Sequence, residues 1–398
     1  MDLTREAGLK RLAEFVAGPL TNYTSCRNLD LGYGRHTEVV SKLSPYIRMR
    51  LVLESEVIAA SLQRFPAQTI SKWIDEVIWR TYWKGWLEHS PQVWKSYLTA
   101  VAQLEQEGWR ERGNYTDAVS GKSGIACIDD WVRELKDTGY LHNHARMWFA
   151  SIWIYTLQLP WELGADFFLR HLLDGDAAAN TLSWRWVAGL HTPGKRYVAS
   201  ASNIEQWTEG RVRVTETLAT EAEALKRAPQ DAVHKPISES ILELNPEFKS
   251  DRRQILLIHP EDLALEYSSL SGSGFDAIVA LDFSQTTLAK FFSGPIMRAH
   301  RQALDDCIRR VETRFGTQVF RLLPDDVKPF AQDQGLHSWV CMKPVVGLWQ
   351  DAWRPYLAKQ SIEFVQREWD QILYPFAKKG FFQFKKSAWD TNLVQLKT

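Results

Sequence analysis

The chain is poor in cysteine and has no excess of charge of either sign, and each shortage narrows what it can do. Only four cysteines, Cys26, Cys127, Cys307 and Cys341, occur in 398 residues. They lie far apart with no Cys-x-x-Cys, which argues against a zinc ribbon, a disulfide scaffold or an iron-sulfur cluster and predicts reduced thiols in a cytoplasm. With 48 basic and 48 acidic residues the formal net charge is zero, so no global field draws the chain to nucleic acid or an anionic membrane. Any such binding has to come from a local patch. Long hydrophobic runs are also missing: the charge-free stretch from Met147 to Trp161 is fifteen residues, too short for a bilayer, and predicts a core helix. The start, Met1-Asp2-Leu3-Thr4, is too polar to read as a signal peptide, so a cytoplasmic location and no membrane partner are expected.

Tryptophan is abundant instead: 18 residues, thirteen of them before residue 228. Core packing accounts for most. A dense cluster beside charge also suits an aromatic ligand pocket or an electron relay, because each indole N–H needs a partner.

Up to about residue 228 the apolar spacing is helical, as in Leu9, Leu12, Ala13 and Val16, in Val57, Ile58, Ser61 and Leu62, in Ile74, Val77 and Ile78, and from Asp129 to Leu157. Residues 229–252 are polar, carry Pro229, Pro236 and Pro246, and read as a linker. From residue 253 the period changes. Short apolar runs at Gln254–His259, Asp276–Asp282, Thr317–Leu322 and His337–Cys341, with a helical stretch from Met297 to Phe315, predict a parallel sheet flanked by helices. The expected fold is thus multi-domain, an all-helical domain over 1–228 followed by a smaller Rossmann-like α/β domain over 253–398.

Some letter matches are refused. Gly121-Lys122-Ser123 has Thr116 where a P-loop needs glycine. Gly272-x-Gly274-x-x-Ala277 precedes a strand, where the dinucleotide fingerprint follows one. His142 and His144 stand two apart, on different faces of a helix, with no carboxylate at ligand spacing, so no metal is expected.

The densest information lies in Thr138-Gly139-Tyr140-Leu141-His142-Asn143-His144-Ala145-Arg146-Met147 and Asp174-Gly175-Asp176-Ala177-Ala178-Ala179-Asn180, followed by Trp184 and Trp186. Asn143, Arg146, Asp174, Asp176 and Asn180 on largely apolar elements are costly to bury unless they pair with each other or with a large polar ligand. Both stretches resemble the flavin-binding half of the photolyase and cryptochrome family. The resemblance rests on its Thr-Gly-x-x-His-Asn-x-x-Arg-Met and Asp-Gly-Asp-x-Ala-x-Asn runs, on Trp-x-Trp, on Trp73-Ile74-Asp75-Glu76-Val77-Ile78-Trp79-Arg80, and on Ser41-Lys42-Leu43-Ser44-Pro45 as a phosphate loop. The later runs, ending in Phe381-Phe382-Gln383-Phe384-Lys385-Lys386-Ser387-Ala388-Trp389, resemble the small α/β domain the family carries first; here it comes second, as in a circular permutation. Of the family's first-strand signature only Asp262-Leu263 remains, without its two arginines.

The resemblance implies FAD as cofactor. It places Ser41, Lys42, Leu43 and Ser44 at the phosphates, with Tyr23 as a further contact and a helix from Leu51 to Leu62 behind them. Arg146 and Asp174 become an ion pair beside the flavin ring, and Asp176 and Asn180 the groups at its N3 and N5 edges. A cation with a neutral amide there favours an anionic reduced ring. Trp184 and Trp161 correspond to the inner members of a tryptophan relay whose third place is taken by Ala118, with Trp109, Trp131 or Trp153 as substitutes. Glu76, Trp79, Asn143, Met147 and Trp186 fall where the family lines a pocket for a flipped-out pyrimidine dimer. Arg27, Arg35, Lys42, Arg48, Arg50 and Arg64 are candidates for a DNA groove. The implied activity is light-driven repair of pyrimidine dimers in DNA by electron transfer from reduced FAD, that of a deoxyribodipyrimidine photo-lyase. The alternative is a cryptochrome-like photoreceptor that binds FAD and signals to a protein partner without repair.

Overall fold

The computed structural model describes residues 1–191, 196–224, 253–357, 360 and 362–391. The linker expected at 229–252 lies outside the described residues. The chain divides into two compact units, one comprising Phe15–Lys42 and the described part of Ser90–Pro236, the other Met1–Glu14, Leu43–His89 and the described part of Ile237–Thr398.

The Phe15–Lys42 and Ser90–Pro236 unit is helical among its described residues, around a core that includes Trp131, Trp148, Trp153, Phe149 and Phe168, each under 2 % exposed. The helix expected without a break from Asp129 to Leu157 is interrupted. Ala126–Thr138 ends at Gly139 in the left-handed region (φ +69°), a conformation a side chain resists. The chain restarts as Asn143–Ser151, capped by His142, whose Nδ1 accepts the His144 N–H at 3.2 Å, and runs on as a π-helical turn, Ile152–Thr156. The break puts Asn143 at a helix start instead of in the core, so it is exposed, against the expectation that it is buried.

In the other unit, the helices Ser44–Arg48, Glu54–Leu62 and Ser71–His89 accompany a five-stranded parallel sheet. Its strands are β1 (Gln254–Ile258), β2 (Ala277–Leu281), β3 (Val319–Leu322), β4 (Ser338–Met342) and β5 (Ile362–Val365), in the order β3-β2-β1-β4-β5. Ile255 registers with Ala277 on one side and Trp339 on the other. Every residue of β1 and β2 is buried, as expected of strands covered on both faces. The predicted helix at 297–315 is Gly294–Phe315; β5, four residues long, was not foreseen.

At the carboxyl ends of β1 and β4, where such sheets leave a crevice, acids after β1 are engaged by arginines. Asp262 accepts bonds from Arg367 at 2.6 and 2.8 Å and from Arg50 at 3.2 Å, Arg50 also grips Asp370 at 2.6 and 2.7 Å, and Arg48 reaches Glu261 at 3.2 Å. Burial alone would raise the Asp262 pKa, but Arg367 and Arg50 hold its carboxyl well below the usual range. The Asp262 that remains of the first-strand signature is thus paired with arginines from other parts of the chain. Arg48 and Arg50, each 4 % exposed, are consumed here, so they do not face solvent as a DNA groove requires.

Candidate flavin site and its surroundings

Within the Phe15–Lys42 and Ser90–Pro236 unit, two motifs far apart in sequence meet at Tyr140. Lys42 adopts φ +53°, strained for a residue other than glycine, and its Nζ lies 4.4 Å from the Tyr140 ring centroid. The Arg146 guanidinium lies 5.6 Å from the same centroid. Arg146 Nη2 donates to Asp174 Oδ2 at 3.0 Å and Nε to the Leu141 carbonyl at 2.9 Å, with side-chain exposures of 23 % for Arg146 and 4 % for Asp174. On Tyr140's other neighbour, His36, the ring of His142 stacks at 5.8 Å, and His36 Nε2 lies 2.7 Å from Glu134. Burial pushes the His142 pKa down to about 3, so this imidazole is neutral at ordinary pH. Sequence reasoning missed Tyr140, although it stands in the middle of the first motif.

The second motif works through a helix start. At Gly175 the backbone leaves little room, since a Cβ would lie 3.0 Å from the Leu172 carbonyl oxygen and 3.2 Å from that of Leu169. Asp176 then caps Ala177–Val187, its Oδ1 accepting the Ala179 N–H at 2.9 Å, and Asn180 follows one turn on, its Nδ2 donating to the Ala165 carbonyl at 2.9 Å. Both are buried. Three turns of one helix thus carry a carboxylate, a neutral amide and Trp184.

Trp184 packs edge-on against Phe168 at 5.1 Å and Trp153 at 6.3 Å. The close fit depends on Gly164, where a Cβ would lie 2.4 Å from Trp184 Cη2 and 2.9 Å from Trp153 Nε1. Tyr115 meets the far side of this group, its ring 6.0 Å from Trp153. Trp161 faces Tyr97 at 5.7 Å and the Arg185 guanidinium at 5.9 Å. Among the described residues no ring contact joins Trp161 to Trp184. Ala118 is fully buried.

Of the remaining expected cofactor contacts, Tyr23 is buried edge-on to Phe15 at 5.7 Å, and Ser41 is buried. Leu43 is buried too, and Ser44 opens a helix of its own, Ser44–Arg48; the helix predicted from Leu51 begins only at Glu54. Asn143 and Met147 are one turn apart on one face of their helix, and Trp186, half-buried, stacks on Tyr197 at 5.9 Å. In the other unit Glu76 and Trp79 are half-buried on Ser71–His89. One face of the Trp79 ring is covered by Phe381, with centroids 3.5 Å apart and planes 7° from parallel.

Residues 73–250 match the family model for the FAD binding domain of DNA photolyase. The FAD-binding part of this chain belongs to the photolyase and cryptochrome family. It is 33 % identical over 193 residues to the deoxyribodipyrimidine photo-lyase of Thermus thermophilus, covering 48 % of this chain and 44 % of that protein. With the Escherichia coli protein of the same name the identity is 27 % over 193 residues, covering 48 % and 40 %. Against both photolyases, then, the chain spans less than half of the relative's length. A bacterial class III photolyase from Agrobacterium tumefaciens aligns in structure with a TM-score of 0.43 at 24 % identity, over 51 % of this chain and 42 % of that one.

The cofactor of this photolyase-family domain is FAD. The donor set fits it: a lysine and serine hydroxyls suit a pyrophosphate, a carboxylate suits an imide N–H, and a guanidinium suits a ring that turns anionic on reduction. Among the described residues no helix is long and apolar enough to cross a membrane.

Proposed function

We propose that this protein repairs cyclobutane pyrimidine dimers in DNA, driven by light. Bound FAD in its reduced form supplies the electron. The protein's own groups do the rest. Arg146, fixed by Asp174 and the Leu141 carbonyl, keeps a cation beside the site of negative charge, and Asn180 offers an amide that does not repel it. Trp184, with Trp161 or Trp153 behind it, is the route by which an oxidised cofactor is returned to its reduced state. By the family resemblance, Glu76 is assigned to hydrogen-bond the base carbonyl that gains charge, Trp79 and Trp186 to pack on flipped bases, and Met147 to fill an apolar gap.

The observation that carries the reading is the state of these side chains on mostly buried helices. Asn143 is exposed and Glu76, Trp79, Met147 and Trp186 are half-buried, at positions the family resemblance assigns to substrate. The helical part first and the parallel sheet second also support reading the chain as a circular permutation of the family's usual order. A second reading, a photoreceptor without repair, draws on the Phe381 ring that covers one face of Trp79 and on the burial of Arg48 and Arg50.

Repair by purified, reduced protein under blue light separates the two. Glu76→Gln is expected to lower repair yield with lesion binding little changed, and Trp186→Ala to weaken lesion binding by about 1 to 3 kcal/mol per unstacked base. A parent protein with no preference for irradiated over intact DNA at low and moderate salt refutes repair and favours the photoreceptor.

A further inference from the structure

The chain is neutral overall, yet one stretch departs from that balance. Between Tyr374 and Trp389 there are four lysines, Lys378, Lys379, Lys385 and Lys386, and no acidic residue. The stretch forms the turn Tyr374–Phe376 and the helix Phe381–Asp390, which packs on Ser71–His89 within the same unit. Its inner face is spoken for. Phe381 lies on Trp79, Phe384 is buried with its ring 5.4 Å from Tyr82, and Lys385 donates to Asp75 at 2.7 Å.

Among the described residues the outer face has no such partner. Phe382 is 83 % exposed, the most exposed of the large apolar side chains among the described residues, and Phe376 is 38 % exposed. Lys378, Lys379 and Lys386 are exposed, and none of the three enters an ion pair among the described residues. Phe382 and Lys386 are one turn apart and share a helix face. Lys378 and Lys379 stand just before the helix N-terminus, whose first turn holds no acid. Cations there oppose the helix dipole, so the arrangement favours an external anion that neutralises both.

We propose that this surface, with Phe382 at its centre, is a binding site for single-stranded DNA, independent of any lesion. The lysines take successive phosphates and Phe382 stacks on a base, the pairing by which sequence-tolerant strand-binding surfaces work. An anionic membrane fits less well, because the helix has spent its apolar face on Ser71–His89 and offers little beyond two phenyl rings for insertion. The surface shares its partner class with the repair reading but needs neither flavin nor damage.

The test measures binding of an oligodeoxythymidylate by fluorescence anisotropy across a salt series, using full-length parent, Phe382→Ala, and the triple variant Lys378→Gln, Lys379→Gln, Lys386→Gln. All four positions are exposed, and unchanged melting confirms folding. Phe382→Ala is expected to weaken binding roughly 5- to 150-fold, the range for losing one stacked base. The triple variant should flatten the slope of log affinity against log salt by about 2, at roughly 0.7 per phosphate contact. Parent and variants binding the strand alike, or not at all, overturns the proposal. So does a loss confined to vesicles containing phosphatidylserine. Preference for ultraviolet-irradiated over intact strands, measured in the same proteins, reads the repair function separately: a preserved preference with patch variants that bind plain strand like the parent defeats this site alone.

Discussion

Removing Asp174 is the sharpest test of the flavin site, because its consequences differ for fold and for cofactor. The Asp174 side chain is 4 % exposed and accepts the Arg146 Nη2 bond at 3.0 Å. In Asp174→Ala the guanidinium keeps its 2.9 Å bond to the Leu141 carbonyl but loses its counter-charge. Breaking a buried pair costs about 3 to 5 kcal/mol; with 23 % of the Arg146 side chain reaching water, the cost falls at the lower end, about 3 kcal/mol. At roughly 2 to 4 °C per kcal/mol for a unit of this size, the melting temperature drops about 6 to 12 °C. The double variant Arg146→Met with Asp174→Leu removes both charges and recovers most of that loss, since apolar replacements of a buried pair are close to neutral. It does not recover flavin. The measurements are thermal unfolding by circular dichroism and flavin absorbance after desalting. An Asp174→Ala protein that melts with the parent and retains full flavin absorbance refutes the assignment, as does a double variant that binds flavin normally.

Acid should destabilise the fold well above the carboxylate range. Burial lowers the pKa of His142 and His300 to about 3 and of His191 to about 4, from 6.5 when exposed, so between these values the unfolded chain binds protons the folded chain refuses and stability falls as pH drops below 6.5. His300→Leu should flatten urea-derived stability against pH over that window by up to about 1.4 kcal/mol per pH unit; an unchanged slope contradicts the burial argument. Gly164→Ala drives a methyl into Trp184 and Trp153, and the overpacking should cost about 1 to 3 kcal/mol in thermal unfolding; a neutral effect means the two indoles are free to shift. Trp184→Phe should slow photoreduction of bound flavin, and comparing Trp153→Phe with Trp161→Phe under the same illumination identifies the next donor. Parent-rate photoreduction in Trp184→Phe removes Trp184 from the path.

The amino-acid sequence determined the two structural regimes and the cofactor motifs, because those signals are local. Helical apolar spacing in the first half, short β-branched runs in the second, and the Asp-x-Asp-x-x-x-Asn arrangement that caps a helix all act within a few residues of themselves. The break at Gly139 was less legible: the apolar period continues through it, and only the left-handed glycine and the His142 cap decide the interruption. Charge was least legible of all. Arg48 and Arg50 read as a basic surface until the fold brings Glu261, Asp262 and Asp370 to them across more than two hundred residues. The same holds for the aromatics, where the family resemblance pairs Trp184 with Trp161 but the packed core puts Trp153 against it, through a gap that Gly164 provides. Burial, ion pairing and ring contact are properties of the space around a side chain, and that space is filled by residues distant in the chain. Tertiary structure alone therefore decided which cations are spent inside the protein and which, like Lys378, Lys379 and Lys386, stay exposed.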